Sequence, residues 1–387
     1  MKILTSKRII QLPPYLFAEL DRLKAERIRK GVDVIDLGVA DPDLPTPPHI
    51  IAALQRAAED PANHRYPSYS GLNRFREAAA GWMKRRFGVK VDPLQEVVSL
   101  IGSKEGISNF PLAFVDPGDV VLIPSPGYPP TTSGTLFAGG TPYFMPLHRE
   151  NKFLPDLNAV PESVARQAKV MHLNYPNNPT AATAPRDYYE KVVAFAKKHE
   201  IIVCHDAAYC EQYDKEPPPS FLEFPGAMEI GIEFHSLSKT YNMTGWRIGF
   251  ACGNLELVAG LGKIKTNIDS GIFQAVQWAG IAALEGDQKC VEGMRQVYRQ
   301  RRNLMKEGLK KLGWDVASCS GGITLWVATP KCFKSKEFSK KVLEECGVVL
   351  TPGNGFGEAG EGYVRISLTC ADERLAEALE RLKRVQV

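Results

Sequence analysis

Three charged residues in this chain stand beside or within apolar runs, where charge is costly unless it meets a partner. Lys239 lies in HSLSKTYNMTGWRIGF (235–250), directly after an apolar run and before a Gly-containing turn. A lysine so placed can condense with an aldehyde cofactor and then carry a proton. Ser236 and Ser238 flank it, and Arg247 follows eight residues on. Hydroxyls and a guanidinium near one point suit a phosphate. A surface turn with a structural arginine accounts for the same residues, and on this segment alone the two readings weigh equally.

Asp206 closes IIVCHD (201–206) and precedes Ala207, Ala208 and Tyr209. A protonated pyridine nitrogen would satisfy a carboxylate buried there and would turn its ring into an electron sink. Tyr209 is placed to reach that ring's phenolic oxygen. The alternative is an aspartate that caps the next helix. His205 beside it reads as a satisfied core histidine. In GSKEG (102–106) the N–H groups of Ser103 and Lys104 open a helix and suit an anion. Tyr128 in PSPGYP can stack on a flat ring or simply pack. Asn178 in NYPNNPT (174–180) can donate to a ring oxygen or form an Asx-Pro turn. Arg365 interrupts the apolar YVRISL (363–368). A substrate carboxylate held bidentately is one counter-ion for it, and an internal ion pair is the other.

These residues need elements to hold them. Short apolar runs at 97–103, 119–124, 169–173, 201–206, 232–237 and 247–253 read as strands, separated by helix-like stretches at 104–114 and 187–199. Pro111 predicts a kink or early stop in the first helix. Apolar strands alternating with helices predict an α/β fold: a three-layer α/β/α large domain with a mostly parallel sheet. Ligands of such sheets bind at the carboxyl ends of the strands, where the residues above fall. Beyond about 285 the pattern changes to a long helix (287–312), a strand (323–328), a short helix (335–345), the loop PGNGFG (352–357), a strand (363–368) and a closing helix with Asp372 as N-cap. The expected division is 1–44 as an N-terminal segment packing with the small domain, 45–285 as the large domain, and 286–387 as a smaller α+β domain.

Composition narrows the function classes. The 387 residues are 44% hydrophobic and 24% charged with a net charge of +4, ordinary for a soluble globular protein. Lys84, Arg85 and Arg86 form the one short basic run, read as a solvated helix face, so no nucleic-acid partner is expected. The eight cysteines (204, 210, 252, 290, 319, 332, 346 and 370) form no Cys-x-x-Cys and no zinc spacing with histidine. They read as reduced core residues, and no metal is expected. The N-terminal stretch lacks a signal-peptide core and no segment is apolar enough to span a membrane. A cytoplasmic location is the expectation.

The ordered set RYPSYSG, GSKEG, PSPGYP, NYPNNPT, HDAAY, SLSKTYNMTGWRIG and YVRIS resembles the fold type I, aspartate-aminotransferase-like enzymes of class I/II, along essentially the whole chain. These enzymes use pyridoxal 5′-phosphate (PLP) to exchange amino groups between amino acids and 2-oxo acids. The resemblance implies Lys239 as the Schiff-base lysine and Asp206 as the partner of the pyridine nitrogen. It implies Asn178 and Tyr209 at the ring hydroxyl, and Tyr128 against the ring face. It places Ser103, Lys104, Ser236, Ser238 and Arg247 at the phosphate. Arg365 and the backbone of Gly38 would clamp the α-carboxylate, with Asn178 beside them. Tyr66 would reach the phosphate of a neighbouring subunit, which implies a homodimer with shared active sites. The family usually has glycine where this chain has Ala181.

Within the family, GSKEGISNFPLAFVDPGD, PPSFLEFPGAMEIGIEFHSLSKTYNMTGWRIGF and DLGVADPDLPTP are similar to the LL-diaminopimelate aminotransferase branch. That branch makes LL-diaminopimelate from tetrahydrodipicolinate and glutamate on the route to lysine. The resemblance implies a substrate with a distal ammonium and carboxylate, for which Lys104, Tyr15 and Asn174 are candidates. The branch commonly has Glu near position 70, where this chain has Ser70. Aspartate, alanine or broad-specificity amino transfer, or a PLP-dependent β-lyase reaction on cystathionine-like substrates, are the alternatives. A PLP-binding regulator would need a DNA-binding domain ahead of Gly38, for which the sequence leaves no room.

Overall fold

The structure is a computed structural model that describes residues 3–12, 17–318 and 320–385. Tyr15 and Cys319 lie outside the described residues. The strands are β1 (Ile35–Asp36), β2 (Val97–Leu100), β3 (Val120–Ser125), β4 (Thr141–Pro146), β5 (Ala168–Asn174), β6 (Ile202–Asp206), β7 (Gly231–Ser236), β8 (Gly249–Gly253), β9 (Thr324–Ala328), β10 (Val348–Val349), β11 (Thr351–Pro352) and β12 (Tyr363–Ser367). Seven of them form one sheet in the order β2-β8-β7-β6-β5-β3-β4. The pairings among β4, β3, β5, β6 and β7 are parallel, whereas β8 runs antiparallel to both of its neighbours.

Successive side chains of a strand face opposite sides, and this divides the core in two. Val120 and Leu122 of β3, with Met171 and Leu173 of β5, join one buried cluster. Val121 and Ile123, with Val170, Cys204, Ile232 and Phe234, join the other. The first cluster is closed by apolar faces of the helices Asn73–Phe87, Arg186–His199 and Gln274–Glu285. The second is closed by the helices Ser103–Asn109 and Leu255–Ile268, through Ile107, Leu257, Val258 and Leu261. Three layers follow from runs too apolar for water on either face. Each fully buried side chain such as Phe234 contributes about 1.5–3 kcal/mol.

The smaller α+β domain holds an antiparallel sheet of order β11-β12-β9. The N-terminal segment joins it by pairing β1 parallel to β10, Ile35 opposite Val348. The long helix Lys289–Lys311 reinforces that junction. Its Arg301, 4% exposed, donates to Asp43 at 2.7 and 2.9 Å and to Asp372 at 2.7 Å. The N-terminal segment, the long helix and the closing helix thus share one ion-pair network.

Several expectations need correction. Asp372 is the first residue of the closing helix Asp372–Leu382, and Ala371 precedes it as N-cap. The Asp372 carboxylate serves Arg301 instead of capping the backbone. The strand expected from 247 begins at Gly249, because Arg247 has φ 54° at the end of a short helical turn Thr244–Trp246. Arg86 is not solvated: it pairs with Glu211, itself 6% exposed, at 2.5 Å and lies over the Phe87 ring. Cys332 is exposed, unlike the buried Cys204, Cys210, Cys252 and Cys346. Pro111 does break its helix, into Ser103–Asn109 and Pro111–Phe114. Among the described residues no helix is long and apolar enough to cross a membrane.

Candidate active site

Because β5, β6 and β7 run parallel, their carboxyl ends reach one edge of the sheet, where Asn174 lies opposite Asp206 and β7 extends two residues past Phe234, the partner of Asp206. Asn174 ends β5, Asp206 ends β6 and Ser236 ends β7. β8 reverses the chain, so Gly249 returns to the same edge, paired with Ser236 on one side and Leu100 on the other. The connection 237–248 therefore carries Lys239 and Arg247 at the carboxyl edge.

Asp206 is 7% exposed. Its Oδ1 accepts from the Ala208 N–H at 3.1 Å within a turn; the next helical element begins only at Phe221, so the alternative of a helix cap is not met. Burial pushes its carboxyl up to about 6, against the pull of the Ala208 N–H and of His205. Among the described residues it forms no ion pair, a costly state for a carboxylate. Tyr128 and Tyr209 lie close enough to feel its charge, and burial raises both phenols, that of Tyr209 to about 12. Tyr128 also packs against the second core cluster. His205 faces away from this edge into the core, bonded to Glu233 at 2.9 Å and to Tyr189 at 3.2 Å.

Lys239 donates from Nζ to the Ala40 carbonyl at 2.9 Å. Burial lowers its amine to about 8; Asp41 opposes this, and Arg365 and Arg247 add to it. The side chain of Gln212 donates to the Lys239 carbonyl at 2.9 Å and fixes its backbone.

Arg365, in β12, is 6% exposed and has no carboxylate partner among the described residues. It donates to Asn178 Oδ1 at 2.8 Å and to the Gly38 carbonyl at 2.7 Å, and stands over the Phe356 ring at 4.7 Å. Among the described residues its Nε has no hydrogen-bond acceptor. Burial lowers its pKa to about 10. Among the described residues the internal ion pair offered as an alternative is not formed. A guanidinium held by neutral oxygens, with its Nε–H unspent, fits a carboxylate ligand. Gly38 is held in turn: its N–H donates to Asp36 at 2.8 Å and its carbonyl also accepts from Thr351 at 2.7 Å.

A third grouping suits a phosphate. Gly102 has φ 73° and precedes the helix that Ser103 opens. A Cβ at Gly102 would collide with the Arg247 guanidinium, and one at Gly249 would stand 3.2 Å from the Ser103 nitrogen. These two glycines let Arg247 and β8 close on the turn. Arg247 donates to the carbonyls of Thr244 at 2.9 Å and Ile101 at 3.4 Å. Ser236 and Ser238 are buried, and Ser236 Oγ accepts from the Ser238 N–H at 3.2 Å. The donor set and the cradle fit the phosphate of PLP, and Asp206 fits its ring nitrogen.

Other residues stand apart. Lys104 is exposed, and Tyr66 is 88% exposed. Asn174 has both ends of its amide engaged, donating to the Asp206 carbonyl at 2.9 Å and accepting from the Asn178 N–H at 2.7 Å. It positions Asp206 and Asn178. Ala181 takes φ 57°, the left-handed backbone that glycine adopts more easily. Thr351, Gln212, Asp36 and Phe356 were not foreseen; each acts through a backbone or ring contact that no motif announces.

The chain is similar to known proteins along nearly its whole length. The family described as aminotransferase class I and II matches residues 32–382. The LL-diaminopimelate aminotransferase of Syntrophobacter fumaroxidans is 60% identical over 386 residues, covering 100% of each chain. That of Aquifex aeolicus is 57% identical over 383 residues, covering 99% of each. Among solved structures, substrate-bound BacF from Bacillus subtilis superposes with a TM-score of 0.95 at 38% identity, over 99% of this chain and 98% of that one. A probable N-succinyldiaminopimelate aminotransferase from Thermus thermophilus superposes at 0.91 and 38% identity, over 95% of this chain and 99% of that one.

Proposed function

Because the chain belongs to the class I and II aminotransferases, and is a PLP-dependent enzyme of amino transfer, we propose that its substrates are LL-diaminopimelate and 2-oxoglutarate. Full-length similarity to proteins of that name, at 60% and 57% identity, supports the substrate. One observation carries the chemistry: a buried carboxylate and a buried arginine, neither with an ion-pair partner among the described residues, stand with a lysine of lowered pKa around one sheet edge. Bound PLP supplies an aldehyde that condenses with amines and a protonated ring that draws electrons from the Cα–H bond.

The chain's own residues do the rest. Arg365 binds the α-carboxylate, oriented by Asn178 and Gly38. Lys239 Nζ takes the α-proton and returns it, within reach of neutrality because burial has lowered its pKa to about 8. Asp206 holds the ring nitrogen protonated, and Tyr209 and Asn178 serve the ring oxygen. Ser103, Ser236, Ser238 and Arg247 hold the phosphate, with Lys104 at its edge. Arg365→Lys keeps the charge but loses the bidentate fork. It is expected to raise KM for amino donor and oxo acid alike by about tenfold or more, the worth of roughly 1.5–3 kcal/mol for a charged hydrogen bond, with kcat less affected. Steady-state kinetics in both directions would show this, and an unchanged KM would remove Arg365 from the site.

The lowered lysine also predicts a pH dependence. Only the neutral amine of Lys239 condenses with an aldehyde, so capture of PLP by the cofactor-free protein accelerates as pH rises towards and through about 8. Stopped-flow absorbance between pH 6 and 10 follows it, taking roughly two units either side of that value. A midpoint near an ordinary lysine would contradict the buried environment.

We further propose a homodimer. Trp278 donates to Asn63 at 3.1 Å and Gln274 to the Arg65 carbonyl at 3.1 Å, so the segments around 61–71 and 271–278 share one surface. Tyr66, Tyr69, Phe273 and Trp278 are exposed on it. Sedimentation at enzyme concentration tests this, and a monomer with full activity would end it.

The substrate is tested by a coupled assay with LL-diaminopimelate and 2-oxoglutarate, following glutamate. N-Succinyl-LL-diaminopimelate, meso-diaminopimelate, aspartate and alanine serve as parallel donors. Preference for LL-diaminopimelate is expected. Equal or better use of aspartate or alanine would keep amino transfer and discard the substrate, with Ser70 the first residue to exchange for Glu.

A further inference from the structure

Lys265 is a fully buried lysine, at 0% exposure, near the end of the helix Leu255–Ile268. It touches none of the groups assigned to cofactor or substrate. Its Nζ donates to Glu105 at 3.2 Å and to both oxygens of Asp269 at 2.9 and 2.8 Å. Burying one cation between two carboxylates is expensive, and apolar residues of similar volume often serve stability as well or better. Something other than stability is therefore a reason to look along each carboxylate.

Glu105 lies in the helix that Ser103 opens. The Oε2 atom that meets Lys265 also accepts from the Ile101 N–H at 2.8 Å. The Ile101 carbonyl, on the other side of the same residue, receives Arg247 at 3.4 Å. Ile101 is thus held between Glu105 and Arg247, and the Gly102–Ser103 turn follows it directly. Burial raises the Glu105 carboxyl and Lys265 opposes that shift. Without the ammonium this carboxylate would take up a proton or leave, and the Ile101 N–H would lose a charged acceptor.

Asp269 reaches in the other direction. Its Oδ1 accepts from the Gly271 N–H at 2.6 Å. Gly271 has φ 87°, and a Cβ there would stand 2.9 Å from Pro67 Cγ and 3.2 Å from the Ser68 carbonyl. The loop 269–271 is therefore seated on the residues that directly follow Tyr66.

We propose that Lys265 is a positioning residue for cofactor binding, setting the phosphate turn through Glu105 and the base of the Tyr66 segment through Asp269. This rests on the reading of the Ser103–Arg247 cradle as the phosphate site. Lys265 touches no reacting atom; it fixes two backbone segments against each other across the layer. Groups that orient ligands from one shell out commonly change ligand affinity by about 10- to 100-fold when removed.

The test is titration of full-length cofactor-free protein with PLP, read by the absorbance of the bound cofactor, beside thermal unfolding without PLP. Lys265→Met is expected to weaken PLP by about tenfold or more. Lys265→Arg is expected to recover most of that loss, since a guanidinium can still span both carboxylates. Should Lys265→Met fail to fold, Glu105→Met decides, because it removes the acceptor of the Ile101 N–H while leaving Lys265 its pair with Asp269, and it is expected to weaken PLP in the same way. Wild-type PLP affinity in a folded Lys265→Met or Glu105→Met protein, with only the unfolding temperature lowered, would overturn the proposal. Arg247→Leu serves as the control for the underlying reading. If it too leaves PLP affinity unchanged, the phosphate site itself is misplaced; if it weakens PLP while Lys265→Met does not, only the positioning role falls.

Discussion

Lys239→Ala is expected to lower amino transfer by roughly 10⁴-fold or more, the upper range for removing a positioned acid–base group, while PLP still binds. The amine that donates to the Ala40 carbonyl at 2.9 Å is the one the proposed mechanism needs at the substrate α-carbon. No neighbouring group can replace it. Asp206 is engaged by the Ala208 N–H, and Arg365, its pKa lowered only to about 10, keeps its proton near neutrality. The phosphate cradle does not depend on Lys239, so retention should fall far less than rate. Single-turnover conversion of bound PLP by LL-diaminopimelate separates the two, and small added amines should restore part of the rate if a proton carrier is what was lost. Near-normal turnover in the alanine variant would sink the assignment.

Asp206→Asn is expected to act in opposite directions on stability and on activity. In the proposed site the carboxylate would pair with the ring nitrogen of PLP, and removing one member of a buried pair costs about 3–5 kcal/mol, or roughly 10²- to 10⁴-fold in rate. Without PLP the same carboxylate is a burden. Its folded pKa, about 6, lies above the ordinary 3.8, so the native state binds more protons than the unfolded chain between those values. Stability of the cofactor-free protein therefore falls as pH rises through that window, by an amount on the order of 3 kcal/mol, and is unaffected by this group at lower pH. Asparagine keeps an acceptor for the Ala208 N–H and carries no charge. The cofactor-free variant should thus be more stable than the parent at pH 7 and should lose that part of the pH slope. Urea titrations at pH 4 and pH 7 measure it; equal slopes would mean that Asp206 already has a cationic partner within the protein.

Parts of this molecule are legible in the sequence because burial on both faces writes itself as uninterrupted apolar runs. β3, β5, β6 and β7 lie within a residue or so of where the runs place them. β4 leaves no such signature. It is the sheet edge, mostly exposed or half-buried, and its six residues TPYFMP include two prolines, tolerated where no further strand must be paired. The two-residue strands β1, β10 and β11 are too short for any periodicity to register. The reversal at β8 is likewise invisible, since an apolar run does not state its direction. Within the site, Asp206 and Arg365 were conspicuous as charges in apolar company. Thr351 and Gln212 were not, because what they supply is a hydrogen bond to a carbonyl, and the position of a carbonyl is a property of the folded chain. Arg301 shows the same limit: it reads as one more charge on a long helix until Asp43 arrives from the other end of the sequence.

The reversed strand also bears on how this fold can vary over time. Surface connections usually tolerate inserted and deleted residues, because one end can shift without disturbing the other. The connection 237–248 is pinned at both ends to one edge, Ser236 on the outgoing strand lying opposite Gly249 on the returning one. Lengthening it by one residue must therefore move Lys239 relative to Arg247, or slip β8 in register and turn its side chains to the wrong face. The stretch is a loop by conformation and a ruler by geometry. Its length should stay fixed across descendants whose substrates differ, while the exposed turns around the rest of the sheet lengthen and shorten freely.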